Sequence, residues 1–284
     1  MFWVCLPPVF LPHFLRVIQM PIVVHAEIRR PSQDEFGAIS YDVMHHLFVI
    51  HNEFGRFLRE EIYKRELAAR RSGLQLEVPI EVSFGNFAKR YEMDVLADHA
   101  AVFELKAVEA LAPIHEAQLL NYLLLAELPH GKLVNMRPDV IEHRFVNTSL
   151  RLADRRQFTV IDDEVDAIPE LRRIKDLFLE LIRDWGTGLE LSLYTEAMTE
   201  LLGGEERVIQ EIEILSGSRV TGTQKVHLAL SDTLFKITSS DEQSRHRFAE
   251  HARRFLKHTR LQRLLWINVT LHEILFRAVY KQKN

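Results

Sequence analysis

The chain has 284 residues, 47% apolar and 27% charged, with a formal net charge of −4. That length and composition suit a globular protein of one large or two ordinary domains. The single cysteine, Cys5, excludes an intrachain disulfide and a cysteine-based zinc site, and the acidic balance excludes a high-affinity, sequence-independent DNA binder unless basic residues cluster locally.

Residues 1–20 are apolar but broken by Pro7, Pro8 and Pro12. They lack the positive start and unbroken apolar stretch of a secretion signal, and the run is too short and interrupted to span a bilayer. Two accounts of an N-terminal arm over residues 1–33 stay open: translation beginning at Met20, or an ordered arm packed on the domain. Either way the expectation is a cytoplasmic protein with no membrane segment.

A stripe of Val43, Leu47, Ile50 and Phe54 predicts a helix from about Ser40 to Arg71, stopped by Gly73. Strands are expected at about 75–84, 88–97 and 101–107. Pro113 suits the first turn of a helix over about 113–127, and two further strands fall near 131–136 and 140–147. The order α-β-β-β-α-β-β makes an α/β (α+β) fold, a mixed sheet flanked by helices. A polar linker containing Asp162-Asp163-Glu164 leads to a helix from about Pro169 to Trp185, broken at Gly186-Thr187-Gly188.

The chemistry concentrates between Met93 and Ala107. Odd positions there are apolar except His99, whereas even positions carry Asp94, Glu104 and Lys106. This alternation predicts strands with one buried face, joined by a three-residue loop at Asp98-His99-Ala100. A loop centred on His99 sets Asp94 opposite Glu104, and Lys106 shares their face. Two such carboxylates repel unless positive charge lies between them. A divalent cation that prefers oxygen ligands, such as Mg²⁺, meets that need, and a lysine beside it can stabilise charge on a phosphate. The same spacing also fits a solvated hairpin with an ordinary cross-strand ion pair.

The wider sequence supplies context. Asp94-x9-Glu104-x-Lys106 has the shape of a PD-(D/E)XK core. Upstream, Gly55, Glu60 and Tyr63 fit G-x-x-x-x-E-x-x-Y. Downstream come His115, Gln118 and Tyr122, then Gly131-Lys132-Leu133-Val134-Asn135. Taken in order, residues 40–148 resemble the GxxExxY family, a branch of the PD-(D/E)XK nuclease-like superfamily with a restriction-endonuclease-like core. The resemblance implies that Asp94 and Glu104 bind the metal, Mg²⁺ or Mn²⁺, with the Leu105 backbone carbonyl as third ligand. It implies that Lys106 orients the attacking water, that Glu60 adds a carboxylate, and that Gln118 and Tyr122 form a Q-x-x-x-Y signature. His115, Gln118 and Tyr122 share a helix face by spacing, which fits a supporting role or a packing face, the latter favoured for His115. Phe57 departs from the family, which usually has a second glycine there, and Met93 stands where other branches have proline.

The second half reads as a diverged repeat. Tyr194 matches Tyr63, Lys236 falls at Glu104, Thr238 at Lys106, Val226 or His227 near Asp94, and Asn268 at Asn135. The carboxylate pair is gone, so no hard cation is expected there. Instead Arg245, Arg253, Arg254, Lys257 and Arg260 crowd one helix and its exit, a candidate phosphate-contacting run or a solvated helix face. The expected organisation is an arm to residue 33, a nuclease-like domain over 34–150, a linker and helix over 151–188, and a degenerate module over 189–284. The two modules together make an internal pseudo-dimer, with homo-oligomers left open. There is no P-loop, no G-x-G-x-x-G after a strand, no H-E-x-x-H and no nucleophile elbow. Two functions follow: a Mg²⁺-dependent nuclease acting on nucleic acid, with DNA favoured over RNA and the choice between them open, or an inactive nuclease-fold protein that binds nucleic acid or a protein partner.

Overall fold

The computed structural model describes residues 21–282; the apolar run of residues 1–20, and with it both accounts of the chain's start, lies outside the described residues. The first half runs β1 (Ile22–Val24), α1 (Gln33–Phe54), α2 (Glu60–Arg70), β2 (Leu74–Phe84), β3 (Phe87–Ala97), β4 (Ala101–Lys106), α3 (Pro113–Leu125), β5 (His130–Asn135) and β6 (Glu142–Asn147). The second runs α4 (Leu152–Arg155), β7 (Thr159–Asp163), α5 (Pro169–Trp185), α6 (Leu191–Leu201), α7 (Glu205–Val208), β8 (Ile209–Ser216), β9 (Arg219–Leu230), β10 (Thr233–Thr238), α8 (Glu242–Lys257), β11 (Arg263–Val269) and β12 (Glu273–Tyr280).

Each half builds a six-stranded sheet, ordered β1-β2-β3-β4-β5-β6 and β7-β12-β11-β10-β9-β8. The pairs β4/β5 and β10/β11 are parallel, so each needs a crossover connection, which α3 and α8 supply. Among the described residues no helix is long and apolar enough to cross a membrane.

Three sequence expectations are corrected. The single helix over 40–71 is two helices. Gly55 adopts φ +73°, a left-handed conformation that suits glycine, and its amide closes α1 onto the His51 carbonyl at 2.9 Å. Glu60 therefore opens α2 rather than lying inside a first helix. From Met93 to Leu105 the strands β3 and β4 are buried on both faces, not one. Val95, Phe103 and Leu105 share a core with Val43, Leu47 and Ile50 of α1, while Leu96 and Val102 share another with Leu119 and Leu123 of α3. Helices on both sides of a sheet dry both faces. Finally, Asp162 and Asp163 lie in β7, not in a linker. That strand extends the second sheet because Lys175 (2.9 Å from Asp162) and Arg277 (2.5 Å from Asp163) neutralise its acids.

The halves share a local architecture as well as an element order. Tyr63 donates to the Gly55 carbonyl (2.7 Å) and accepts from the Leu58 amide (3.3 Å). Tyr194 donates to the Gly186 carbonyl (2.7 Å) and accepts from the Leu189 amide (3.2 Å), at the same sequence separations of 8 and 5 residues. The buried Asn135 grips both backbone groups of Val108, and the buried Asn268 grips both of Ser240.

The halves stack front to back. The helices α1 and α2 cover one face of the first sheet. Its other face carries α3 and meets α5 and α6, which cover the near face of the second sheet. One continuous core accordingly holds Val78, Ile80 and Leu123 together with Phe178, Trp185, Phe235 and Ile267. The far face of the second sheet packs separately on α8. Trp185 donates its indole N–H to the Ser83 carbonyl across the junction at 3.0 Å.

Candidate active site

The hairpin between β3 and β4 turns at Asp98-His99-Ala100, with Asp98 (φ +50°) and His99 (φ +60°) left-handed. Arg71 holds the turn by pairing with Asp98 at 2.5 Å. The ladder runs from Ala97↔Ala101 to Val95↔Phe103, the register that brings Asp94 level with Glu104. At Asp94 the regular pairing stops. Its carboxylate takes the place of a backbone acceptor: Oδ2 receives the Leu105 amide at 2.9 Å, and Oδ1 receives the Lys64 ammonium at 3.1 Å. The side chain of Asp94 is thereby fixed against the C-terminal end of β4.

Glu104 stands beside it, with a side chain only 1% exposed. Oε1 accepts from Lys106 at 2.6 Å, whereas Oε2 is buried with no hydrogen-bond partner. A buried carboxylate oxygen without a partner is costly, and the neighbours amplify the cost. Burial first, then the charge of Asp94, pushes the Glu104 carboxyl up to about 7 against the opposing pull of Lys106. Burial depresses the Lys106 ammonium, but Glu104 outweighs it and the net shift is upward, so the lysine stays charged. Lys64 behaves alike: burial lowers it, and Asp94 and Glu77 more than offset that.

Glu60 reaches the same place from the first turn of α2, where Oε1 accepts from the Ala107 amide at 3.3 Å, the residue after Lys106. Asn135 holds the next residue, Val108, so the chain leaving β4 is pinned on both sides. On α3, Gln118 donates to the Tyr122 hydroxyl at 2.9 Å. Burial raises that hydroxyl to about 12; the Gln118 bond opposes, and the charges of Glu104, Asp94 and Glu190 push the same way as burial. The structure therefore brings Asp94, Glu104, Lys106 and Glu60 together, with Gln118 and Tyr122 alongside. His115 does something else: its Nδ1 accepts from the Ala112 amide at 3.1 Å and caps the start of α3.

The expected basic run on α8 lies in the other half. Arg245 pairs with Glu273, and Arg260 with Glu213 at 3.0 Å. Among the described residues no hydrogen bond or ion pair engages the side chains of Arg253, Arg254 and Lys257.

Two contributions were not anticipated. Lys64 had a signal, since it follows Glu60 by four residues and so shares its helix face. Glu190 had none: it sits at the start of α6 and accepts a short hydrogen bond from Tyr91, whose ring lies 6.2 Å from that of Tyr122. Lys89 also reaches Glu190 at 3.2 Å. The second half thus forms the wall behind Tyr122.

Among the described residues no group of three or more His, Cys, Asp or Glu side chains stands ready to hold a metal ion. Mg²⁺, however, commonly takes one or two carboxylates and keeps several waters. Asp94, Glu104 and the unpartnered Oε2 fit that requirement.

Residues 37–146 match the family model of the PD-(D/E)XK nuclease superfamily. No curated protein matches the chain significantly. A solved structure, "Crystal structure of SSO0001", is 21% identical over 43% of this chain and 61% of that one, with a TM-score of 0.27. The chain therefore spans about three fifths of that protein's length. The first half has the PD-(D/E)XK nuclease fold: a mixed sheet flanked by helices, with the acidic and lysine side chains at the end of its parallel pair.

Proposed function

We propose that the chain is a divalent-metal-dependent nuclease of the GxxExxY branch, hydrolysing phosphodiester bonds of nucleic acid. The observation that carries this reading is Glu104 Oε2, buried and unpartnered beside Asp94 and within an ion pair with Lys106. Asp94, Glu104 and the Leu105 carbonyl would hold Mg²⁺ or Mn²⁺. When bound, such an ion supplies Lewis acidity and charge neutralisation at the phosphate.

The protein's own groups do the rest. Lys106, kept protonated by Glu104, donates to the attacking water and stabilises the negative charge that builds on the phosphate oxygens. Because Lys106 uses Oε1, Oε2 is free for the cation without breaking that pair. Glu60, anchored by the Ala107 amide, adds negative charge at the same end of β4. Gln118 fixes the Tyr122 hydroxyl that lines the site.

We infer that the second half is a degenerate copy in tandem with the first. The paired Tyr and Asn anchors support this, as does the matched element order. The nuclease-like unit is assigned to residues 34–150 and the diverged module to 189–284; α5, in the connecting segment 151–188, precedes α6 as α1 precedes α2. Lys236 and Thr238 replace Glu104 and Lys106, so this copy would hold no hard cation.

The test is cleavage of single- and double-stranded DNA and RNA with Mg²⁺, Mn²⁺ or chelator. Asp94→Asn and Lys106→Ala should each cost on the order of a hundredfold or more in rate. Calorimetric Mn²⁺ binding should disappear in Glu104→Gln. A second reading, binding without cutting, is favoured by one observation: Lys64 and Lys106 already balance both carboxylates. Absence of both Mn²⁺ binding and cleavage in the wild type would select it.

A further inference from the structure

On the far face of the second sheet, β9, β10 and α8 enclose a groove of about 320 Å³. It occupies the place that the repeat assigns to the carboxylate site of the first half. The pair Lys106↔Asn135 there corresponds to Thr238↔Asn268 here, which puts Lys236 in the position of Glu104. Phe248, Phe255 and Leu234 form the walls; the exposed Lys236 and His251 line it as well. No aspartate or glutamate lines it.

We propose that this groove docks one unpaired nucleotide of a single-stranded nucleic acid. Three observations select that occupant. The lining carries cationic and imidazole groups and no carboxylate, so it complements an anion. Its walls are aromatic and held rigid: the Phe248 ring stacks on the buried Trp266 with centroids 4.3 Å apart, and a nucleobase stacks on such a surface whatever its identity. The volume suits a single nucleotide and is shallow for a longer folded ligand. Arg254, three residues beyond His251 on α8 and in no ion pair among the described residues, extends the cationic rim along the same helix face and can meet the next phosphate.

The substitution of Glu104 by Lys236 thus converts a cation site into an anion site. The second copy grips a strand that it cannot cut. This docking is independent of whether the first half cleaves, and the experiment keeps the two apart by excluding metal.

The measurement is fluorescence anisotropy of a labelled oligothymidylate of about ten nucleotides, titrated with the full chain in chelator. Lys236→Glu and His251→Glu, both at exposed positions, should each weaken binding about tenfold, or about 1.4 kcal/mol. Phe255→Leu should weaken the oligothymidylate but not heparin, which has charge without bases. Unchanged binding by the two charge-reversal variants overturns the proposal. So does equal loss of heparin and oligothymidylate in Phe255→Leu, or displacement of the strand by polyglutamate as readily as by unlabelled oligothymidylate. Should Phe255→Leu fail to fold, the two exposed positions still decide the matter.

Discussion

Lys64 Nζ lies 3.1 Å from Asp94 Oδ1 and 3.2 Å from Glu77 Oε1, and only 8% of its side chain is exposed. The lysine therefore serves as the counter-ion of Asp94 in the metal-free protein. Replacing it by methionine keeps the aliphatic stem and removes the charge. Because a partly buried carboxylate is then left unpaired, Lys64→Met should destabilise the metal-free protein by about 2–3 kcal/mol. Mn²⁺ should recover most of that loss. Urea denaturation with and without Mn²⁺ measures both effects; an equal loss in the two conditions would break the link between Lys64 and the proposed ion.

Glu104 gives a pH signature. Its folded-state carboxyl is raised to about 7 from 4.5, mainly by burial. Between those values the folded state binds more protons than the unfolded one, so metal-free stability should fall as pH rises through this window, by up to about 1.4 kcal/mol per pH unit. Glu104→Gln cannot titrate and should flatten this part of the profile. Thermal melting from pH 4.5 to 8 in chelator provides the comparison.

Tyr63 and Tyr194 make matching pairs of hydrogen bonds to the loops that open α2 and α6. Removing the Tyr194 hydroxyl leaves the buried Gly186 carbonyl and Leu189 amide short of a partner, whereas at Tyr63 the carbonyl belongs to the exposed Gly55 and the amide to the half-buried Leu58, which puts its cost at the low end. Tyr63→Phe and Tyr194→Phe should each cost about 1–3 kcal/mol. Only Tyr63→Phe should also lower cleavage, because its loop sets the position of Glu60. Parallel denaturation and rate measurements separate the two.

Arg155 is fully buried without a carboxylate partner. Its guanidinium donates to the carbonyls of Trp185 (3.0 Å), Thr187 (2.8 Å) and Leu124 (3.1 Å), tying the end of α3 to the end of α5. Arg155→Met withdraws every one of those donors at once and should cost about 3 kcal/mol or more. Chemical denaturation reads this directly; a loss below about 1 kcal/mol would mean that water replaces the guanidinium.

The sequence made the hairpin legible because its two-residue period and a centred loop leave one register. Asp94, Glu104 and Lys106 meet as that register requires. What escaped was the mode of meeting. Alternation gives the face of a side chain but not whether a strand pair opens, and here Asp94 displaces the ladder to take the Leu105 amide. The break at Gly55 was missed because the apolar stripe runs up to Phe54 and the next helix begins only a few residues later. A single positive φ, held by the distant Tyr63 hydroxyl, separates them. The double-sided burial of these strands was hidden for a related reason: Asp94, Glu104 and Lys106 put polar side chains on one face, and that alternation reads the same whether or not a second layer covers it. The contact of Glu190 with Tyr91 spans 99 residues and left no periodic trace.

The head-to-tail packing of the two sheets makes the nuclease-like half dependent on its neighbour. Cut after residue 150, the first half would bare Val78, Ile80, Val82 and Phe87, all now sealed against α5 and α6 or the hairpin itself. Such a fragment would present a sticky apolar slab along an already long hairpin, and self-association would compete with any catalysis. A sequence change in α5 or α6 can therefore silence the site at Glu104 without touching any residue that binds substrate.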